Sequence, residues 1–315
     1  MKFRTEIEIS PVPYPIDYRS KIFGLGSCFV DHIQKKLDLY LFPNKINSFG
    51  VIFNPYSIQN ILERIVYKKY FKEEELFFHE KRWKSFELHS SFNQLNKEIL
   101  IEKVNQEIED SHRFLKEADW VFFTFGTAWV YRLKKTGKIV SNCHKMPQKE
   151  FEKYLLSPIE IKNIFQQIID LVQQIAPPAK ILFTISPVRH LKDGFMENQR
   201  SKARLIDAVQ DRINDKDIFY FPSYEILMDD LRDYRFYKKD LVHPNEMAVD
   251  YIWEKFSDAL IDHSIKKDMK IIQSINKYMG HKAFIGKKEY SEKIQEKINY
   301  IRQKYPDIYT KIKKI

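Results

Sequence analysis

Two short stretches, about two hundred residues apart, hold the residue types of a nucleophile and its proton acceptor. The first is Gly26-Ser27-Cys28, which closes the apolar run Ile22-Phe23-Gly24-Leu25-Gly26. A hydroxyl or thiol set where a buried strand breaks at glycine lies above the carboxyl edge of an open α/β sheet, where such sheets present reactive side chains. The second stretch is Asp240-Leu241-Val242-His243. At that offset on one turn the two side chains share a side, so the Asp accepts the imidazole Nδ1–H and Nε2 stays free to take a proton. Nucleophile, base and orienting carboxylate are the parts of an acyl-transfer triad.

The surrounding sequence must supply elements that hold these groups. After Cys28, apolar residues at Phe29, Val30, Ile33 and Leu37 follow helical spacing, so a strand, a sharp turn and a helix succeed one another without a pause. A loop from Asn47 to Pro55 leads to a helix predicted over 57–70. The aromatic stretch with His79, Trp83, Phe86, His89 and Phe92 has no clear period; a lid, a surface insertion and plain structural aromatics all fit it. A helix over 96–117, a buried strand within 118–127 and a hairpin over 130–140 turning at Lys135-Thr136-Gly137 come next. The helix over 157–175 opens on a Ser-Pro cap and stops before Pro177-Pro178. A strand over 180–185, a helix over 197–213, a strand over 217–221 and helices near Tyr224 and over 245–261 complete the alternation. Such alternation implies an α/β fold with a mostly parallel sheet and helices on both faces. Residues 264–315 carry only helical patterns, separated by Gly280 and Gly286, so the chain divides into a body over 1–262 and a C-terminal α-helical extension over 263–315.

The 315 residues carry a net charge of +10, spread very unevenly. The extension holds thirteen Lys and one Arg against five Asp or Glu, which is nine of those ten charges. A nearly neutral body argues against nucleic acid as the partner of the whole protein; the extension alone suits an acidic partner, a membrane surface or RNA, or is a solvated helical appendage. No apolar run reaches eighteen residues and residues 1–20 have no secretory core, so no membrane span is expected and the expected location is cytoplasmic. Two cysteines, Cys28 and Cys143, cannot build a disulfide framework and are expected as free thiols. The nine histidines lack paired metal-ligand spacing, and Gly24-Leu25-Gly26 lacks the third glycine of a dinucleotide fingerprint, so neither metal nor other cofactor is expected.

In order along the chain, Gly26-Ser27-Cys28-Phe29-Val30, Ser186-Pro187-Val188-Arg189-His190, Leu231-Arg232-Asp233-Tyr234-Arg235-Phe236-Tyr237 and Asp240-Leu241-Val242-His243-Pro244 resemble the GSCFA family, a branch of the SGNH/GDSL hydrolase superfamily. The resemblance covers about residues 20 to 260, with Val30 where the family motif ends in Ala. It implies a flavodoxin-like three-layer α/β/α sandwich of the SGNH hydrolase type. It also implies ester or thioester hydrolysis or acyl transfer, often of acetyl groups on carbohydrate, and hence a small-molecule or glycan acyl substrate. Laying Gly26-Ser27-Cys28-Phe29 on the superfamily's Gly-Asp-Ser-Leu puts Cys28 at the reactive serine, whereas a shift of one residue restores Ser27; both registers stand. A thiol beside an imidazole at a helix amino terminus is expected to have a lowered pKa, and a serine would need the His as full general base. Backbone N–H groups at the nucleophile and at Gly50 are candidate oxyanion donors. The superfamily's Gly-x-Asn after the third strand reads Gly126-Thr127-Ala128 here, so the Thr127 hydroxyl or Asn142 would stand in for the missing amide, unless Asn142 only forms a turn. Arg189 and His190 either bind an anionic part of the substrate or, for Arg189, form an ion pair. Residues 232–235 are expected to brace the Asp240 loop through ion pairs and aromatic contacts. A different class of function is a non-catalytic module that binds a glycan or acyl carrier, with the basic extension docking an acidic partner.

Overall fold

Alternation along the buried strands decides the architecture. The computed structural model describes residues 4–214, 216–285 and 292–308. The chain begins β1 (Ile22–Gly26), α1 (Cys28–Leu39), β2 (Asn44–Ile46), α2 (Pro55–Tyr67), β3 (Phe77–His79), β4 (Arg82–Lys84) and α3 (Lys97–Lys116). It continues β5 (Trp120–Phe125), β6 (Trp129–Leu133), β7 (Ile139–Val140), β8 (Phe151–Leu155), α4 (Pro158–Ile175), β9 (Lys180–Ile185) and α5 (Phe195–Gln210). It ends β10 (Ile218–Phe221), the one-turn α6 (Ser223–Glu225), α7 (Glu246–Leu260), α8 (Lys266–Ile285) and α9 (Glu292–Lys304).

In β5, Val121, Phe123 and Phe125 enter a hydrophobic cluster closed by α2, α3, α4 and α5, while Trp120 and Phe122 enter a second one closed by α1, α7, α8 and α9. β9 divides the same way, Ile181, Phe183 and Ile185 against Leu182. Successive strand residues point to opposite faces, so two cores on one sheet make an α/β/α sandwich. The central sheet has the order β10-β9-β5-β1-β2, and every pairing in it is parallel. Counted along the chain, its five strands therefore lie in the flavodoxin-like order 2-1-3-4-5. The crevice of such a sheet opens at the carboxyl ends of β1 and β5, between which the connections diverge.

Most expected elements are present, with shifted ends. The helix expected from residue 57 starts at Pro55, because the Asn54 carboxamide accepts the Ser57 N–H at 2.9 Å and a proline is pre-organised for the first turn. The Ser157-Pro158 start closes a full capping box with Glu160. Near Tyr224 only one α turn forms, continued by a π turn over Ile226–Asp230. The aromatic stretch is a β3–β4 hairpin whose Glu80 and Lys81 both have positive φ. Its rings are structural: Phe86 stacks on Phe77 at 4.1 Å and Phe92 on the fully buried Phe49 at 6.1 Å. Besides the β3–β4 hairpin, two strands escaped the sequence reading, the short edge strand β2 and β8, which pairs antiparallel with β6.

Gly280 was expected to break the extension, yet α8 runs through it. A glycine inside a helix costs about 1 kcal/mol, and burial of Met269, Ile272 and Ile275 on the face of α8 outweighs it. Gly286 lies outside the described residues. The extension packs on the second core, where Tyr18 stacks on Phe42 at 4.7 Å and meets Tyr305 at 4.8 Å. Asp268, 1 % exposed, accepts hydrogen bonds from Tyr300 (2.9 Å), Lys304 (2.8 Å) and Tyr305 (2.7 Å) and so ties α8 to the end of α9. Among the described residues no helix is long and apolar enough to cross a membrane. Both cysteines are free thiols.

Burial pushes the Asp268 carboxyl up, but the bonds from Lys304, Tyr305 and Tyr300 outweigh it and hold the group below its ordinary range. Its contribution is then complete above the unfolded carboxylate pKa and is lost as pH falls through the lower folded value. Asp268→Ala is expected to cost about 2–3 kcal/mol at neutral pH. Urea titrations of both proteins from pH 7 downward should show the gap closing as the carboxylate is protonated.

Candidate active site

The nucleophile stretch owes its shape to one close approach. A Cβ on Gly26 would lie 2.6 to 2.8 Å from the O, Cβ and N atoms of Thr124 on β5, so only glycine lets β1 end against its neighbour there. The chain then turns: the Ser27 N–H donates to Thr124 O at 2.9 Å and the Ser27 Oγ accepts the Phe29 N–H at 3.3 Å, capping α1. Ser27 is 3 % exposed, whereas Cys28, the first residue of α1, is half-buried. The two candidates thus divide, the serine oxygen facing its own helix and the thiol partly open.

Asn47, which the sequence reading passed over, clamps this turn. Its Oδ1 accepts the Gly26 N–H at 2.8 Å, its Nδ2 donates to the Asp31 carboxylate at 2.6 Å, and its N–H donates to Gly24 O at 2.9 Å. It does so from a left-handed conformation, φ 49°, which Asn tolerates better than most residues. An Asn before Ser-Phe-Gly in a loop was the available signal. Asp31 also reverses an expectation: burial first, then this carboxylate, push the Cys28 thiol above its ordinary range instead of below it.

At the other stretch, Asp240 and His243 meet as the spacing predicted, though through a different backbone. Leu241 is left-handed, φ 58°, and Asp240 Oδ1 accepts the N–H groups of Val242 and His243, both at 3.0 Å, in a side-chain-closed turn that is not helical. Asp240 Oδ2 lies 2.8 Å from His243 Nδ1. The two backbone donors, followed by the imidazole, hold the Asp240 carboxyl down at about 2. An ionised carboxylate only accepts, so Nδ1 carries the proton and Nε2 is the free acceptor. Of the expected brace from residues 232–235 the aromatic part is present, Tyr234 on Tyr237 at 5.9 Å, and hydrogen bonds to backbone carbonyls add to it: Asn245 Nδ2 donates to Arg235 O at 2.6 Å, and the Lys238 N–H to His243 O at 2.8 Å. Arg232 and Arg235 pair instead with Asp229 and Asp233 at the surface.

The 238–243 loop is within electrostatic reach of α1. Lys238 acts electrostatically on Cys28 and on His32, one turn further along α1, and His243 acts on His32 and His190. Burial, with Lys238 next, lowers His32 to about 4. Burial, with Lys202 next, also lowers His190 to about 4, and its ring stacks on Phe53 at 5.0 Å. Both rings are therefore neutral at pH 7.

The expected oxyanion donors are mostly occupied. The Gly50 N–H donates to Asn47 O and the Gly126 N–H to Phe53 O, each at 2.7 Å. The Thr127 hydroxyl is bonded to Ser201 Oγ at 3.0 Å and accepts the Trp129 N–H at 3.1 Å. The Cys28 N–H, at the first helical position, has no intrahelical acceptor. Asn142 Oδ1 takes the His144 N–H at 2.8 Å, which leaves the Nδ2 hydrogens as donors; Asn142 lines a cavity of about 380 Å³ with Phe53, His89, Thr127 and His190. Arg189 makes no ion pair with a carboxylate among the described residues, and its Nε donates to Met228 Sδ at 3.1 Å. Among the described residues no group of three or more His, Cys, Asp or Glu side chains is placed to hold a metal ion. Lys202, also passed over, is fully buried on α5; its register with Leu205 and Val209 was the signal for a cation on the apolar face.

The family model described as the GSCFA family matches residues 21–256. None of the curated proteins matches the chain. Among solved structures, a carbohydrate esterase family 3 protein from Talaromyces cellulolyticus is similar with TM-score 0.37 and 9 % identity over 81 % of this chain and 99 % of that one. An acetyl esterase mutant solved with acetate ion is similar with TM-score 0.37 and 10 % identity over 81 % of this chain and 99 % of that one.

Removing the clamp tests this construction. Asn47→Ala leaves the Gly26 N–H without its acceptor and places an alanine at positive φ, for an expected loss of about 2–3 kcal/mol. Urea unfolding measures it, and a loss of only a few tenths would show that Asn47 does not hold the turn.

Proposed function

The chain belongs to the GSCFA family, and from that premise we propose that it is an acyl ester or thioester hydrolase or acyltransferase working through Cys28, His243 and Asp240. The observation that carries this reading is the Asp240–His243 pair, 2.8 Å apart on a loop within electrostatic reach of His32 in α1, the helix that Cys28 opens. Cys28 is preferred to Ser27 because Ser27 is buried and its oxygen is engaged as the helix cap.

Because burial and Asp31 raise the thiol, Cys28 rests protonated and needs a base. His243 Nε2 takes the Sγ proton as sulfur attacks the acyl carbonyl carbon, and Asp240 stabilises the imidazolium through Nδ1–H. The carbonyl electron pair moves onto oxygen, where the Cys28 N–H and the Asn142 amide are the donors within this scheme. Collapse of the tetrahedral species expels the alcohol or thiol, which leaves with the proton from His243, and an acyl thioester remains on Cys28. Water or an acceptor hydroxyl, deprotonated by His243, then releases the acyl group, by hydrolysis in one case and transfer in the other.

The occupied Gly50, Gly126 and Thr127 donors favour a second reading, a module that binds an acylated glycan or acyl carrier without turning it over. Turnover of 4-nitrophenyl acetate and of a simple acetyl thioester separates the two. In the enzyme, His243→Ala lowers kcat by about 10²–10⁴, Cys28→Ala abolishes turnover and acyl labelling, and Ser27→Ala leaves the thiol labelled while costing about 1 kcal/mol as a lost cap. Equal turnover in wild type and His243→Ala would remove the triad; labelling lost in Ser27→Ala and kept in Cys28→Ala would move the nucleophile by one residue.

A further inference from the structure

The wall formed by the segment before α5 carries more positive charge than the triad uses. Arg189 lines a cavity of about 510 Å³ with Phe195, Met228, Tyr237, Asp240 and Leu241. Both carboxylates in that lining have partners, Asp240 in His243 at 2.8 Å and Asp233 in Arg235 at 3.8 Å. Arg189 has none among the described residues and spends its Nε–H on the sulfur of Met228. Behind it, Lys202 has no exposed surface and donates to the Ser186 carbonyl at 2.6 Å.

Arg189 Cζ and Lys202 Nζ lie 5.8 and 5.3 Å from the centroid of the same ring, that of Tyr224. Glu225, the acid within electrostatic reach of Lys202, is pushed toward its neutral form by burial, although the Tyr220 hydroxyl lies 2.7 and 2.9 Å from its two oxygens. Burial, and after it Arg189, lowers the Lys202 ammonium to about 7. Arg189 and Lys202 share one aromatic ring with no carboxylate in ion-pair distance of either among the described residues, an arrangement that an outside anion completes. Across the same cavity Phe195 and Leu241 are 63 % and 58 % exposed, large apolar side chains left open beside the charge.

We propose that this cavity is an anion subsite: it takes the end of the substrate that bears a carboxylate or a phosphate, with Arg189 in contact, Lys202 supplying charge from behind, and Phe195 and Leu241 flanking an apolar stem. Calling the ligand a substrate rests on the triad reading; the binding itself does not. Guanidinium meets either oxyanion through paired N–H donors, so the two chemistries share one site.

The test is equilibrium binding by calorimetry on the full chain with hexanoate, hexyl phosphate and the neutral isostere hexanamide. At least one anion is expected to bind about tenfold or more tightly than hexanamide, and the tighter of the two identifies the oxyanion. Arg189→Met should bring the anions to the hexanamide level, Arg189→Lys should restore part of the difference, and Lys202→Met should weaken the anions and not hexanamide. Hexanamide equal to both anions in the wild type overturns the subsite, as does undiminished anion binding in Arg189→Met with an unchanged unfolding midpoint. No turnover is needed, so an inert but anion-selective protein would sink the triad alone, and an active protein indifferent to charge would sink the subsite alone.

Discussion

The approach of β1 to β5 at Gly26 is the contact on which the rest of the site depends. With no Cβ at that position, the backbone of β1 lies against Thr124, and Ser27 can hand its N–H to the Thr124 carbonyl and its oxygen to α1. The thiol of Cys28 is then presented at the crevice between the two strands whose connections diverge. Asn47 holds the same corner from the next loop, and its bond to Asp31 favours the charged form of the carboxylate beside the thiol against burial. A backbone constraint and an electrostatic one therefore share a single side chain.

Most titratable groups around the crevice are kept from carrying charge. His32 and His190 are neutral by burial, and the Cys28 thiol is held protonated. Asp240 is held the other way, fixed as an anion by two backbone donors and His243. In the proposed triad, an ionised Asp240 and a neutral Cys28 thiol are the starting state that general-base activation requires, since the proton must move when the acyl group is present. The cationic pair on Tyr224 stands apart from this scheme, in a wall that offers charge without a partner.

On the far face of the sheet the basic extension behaves as part of the second core. Ile272, Ile275 and Ile301 are fully buried against the layer that holds Tyr18 and Phe42, and Asp268 gathers one lysine and two tyrosines from the end of α9 and the residue after it. Apolar burial of this kind, at about 25 cal/mol per Å², ties the segment down whatever its excess charge does at the surface.

The alternation of strands and helices, the two motif stretches and the Asp240–His243 offset were legible in the sequence, because each rests on local periodicity or on residues three positions apart. Ser157-Pro158 and the strand over 180–185 were read to within a residue for the same reason. Edge strand β2, the β6–β8 pairing, the clamp by Asn47 and the burial of Lys202 were not, since each depends on partners dozens of residues away. The amino acids alone determined which groups could do chemistry and on which strand end they stand. Tertiary packing decided which of them is open, which is capped and which donors are already taken, because exposure and hydrogen-bond occupancy belong to the folded arrangement and not to any one residue.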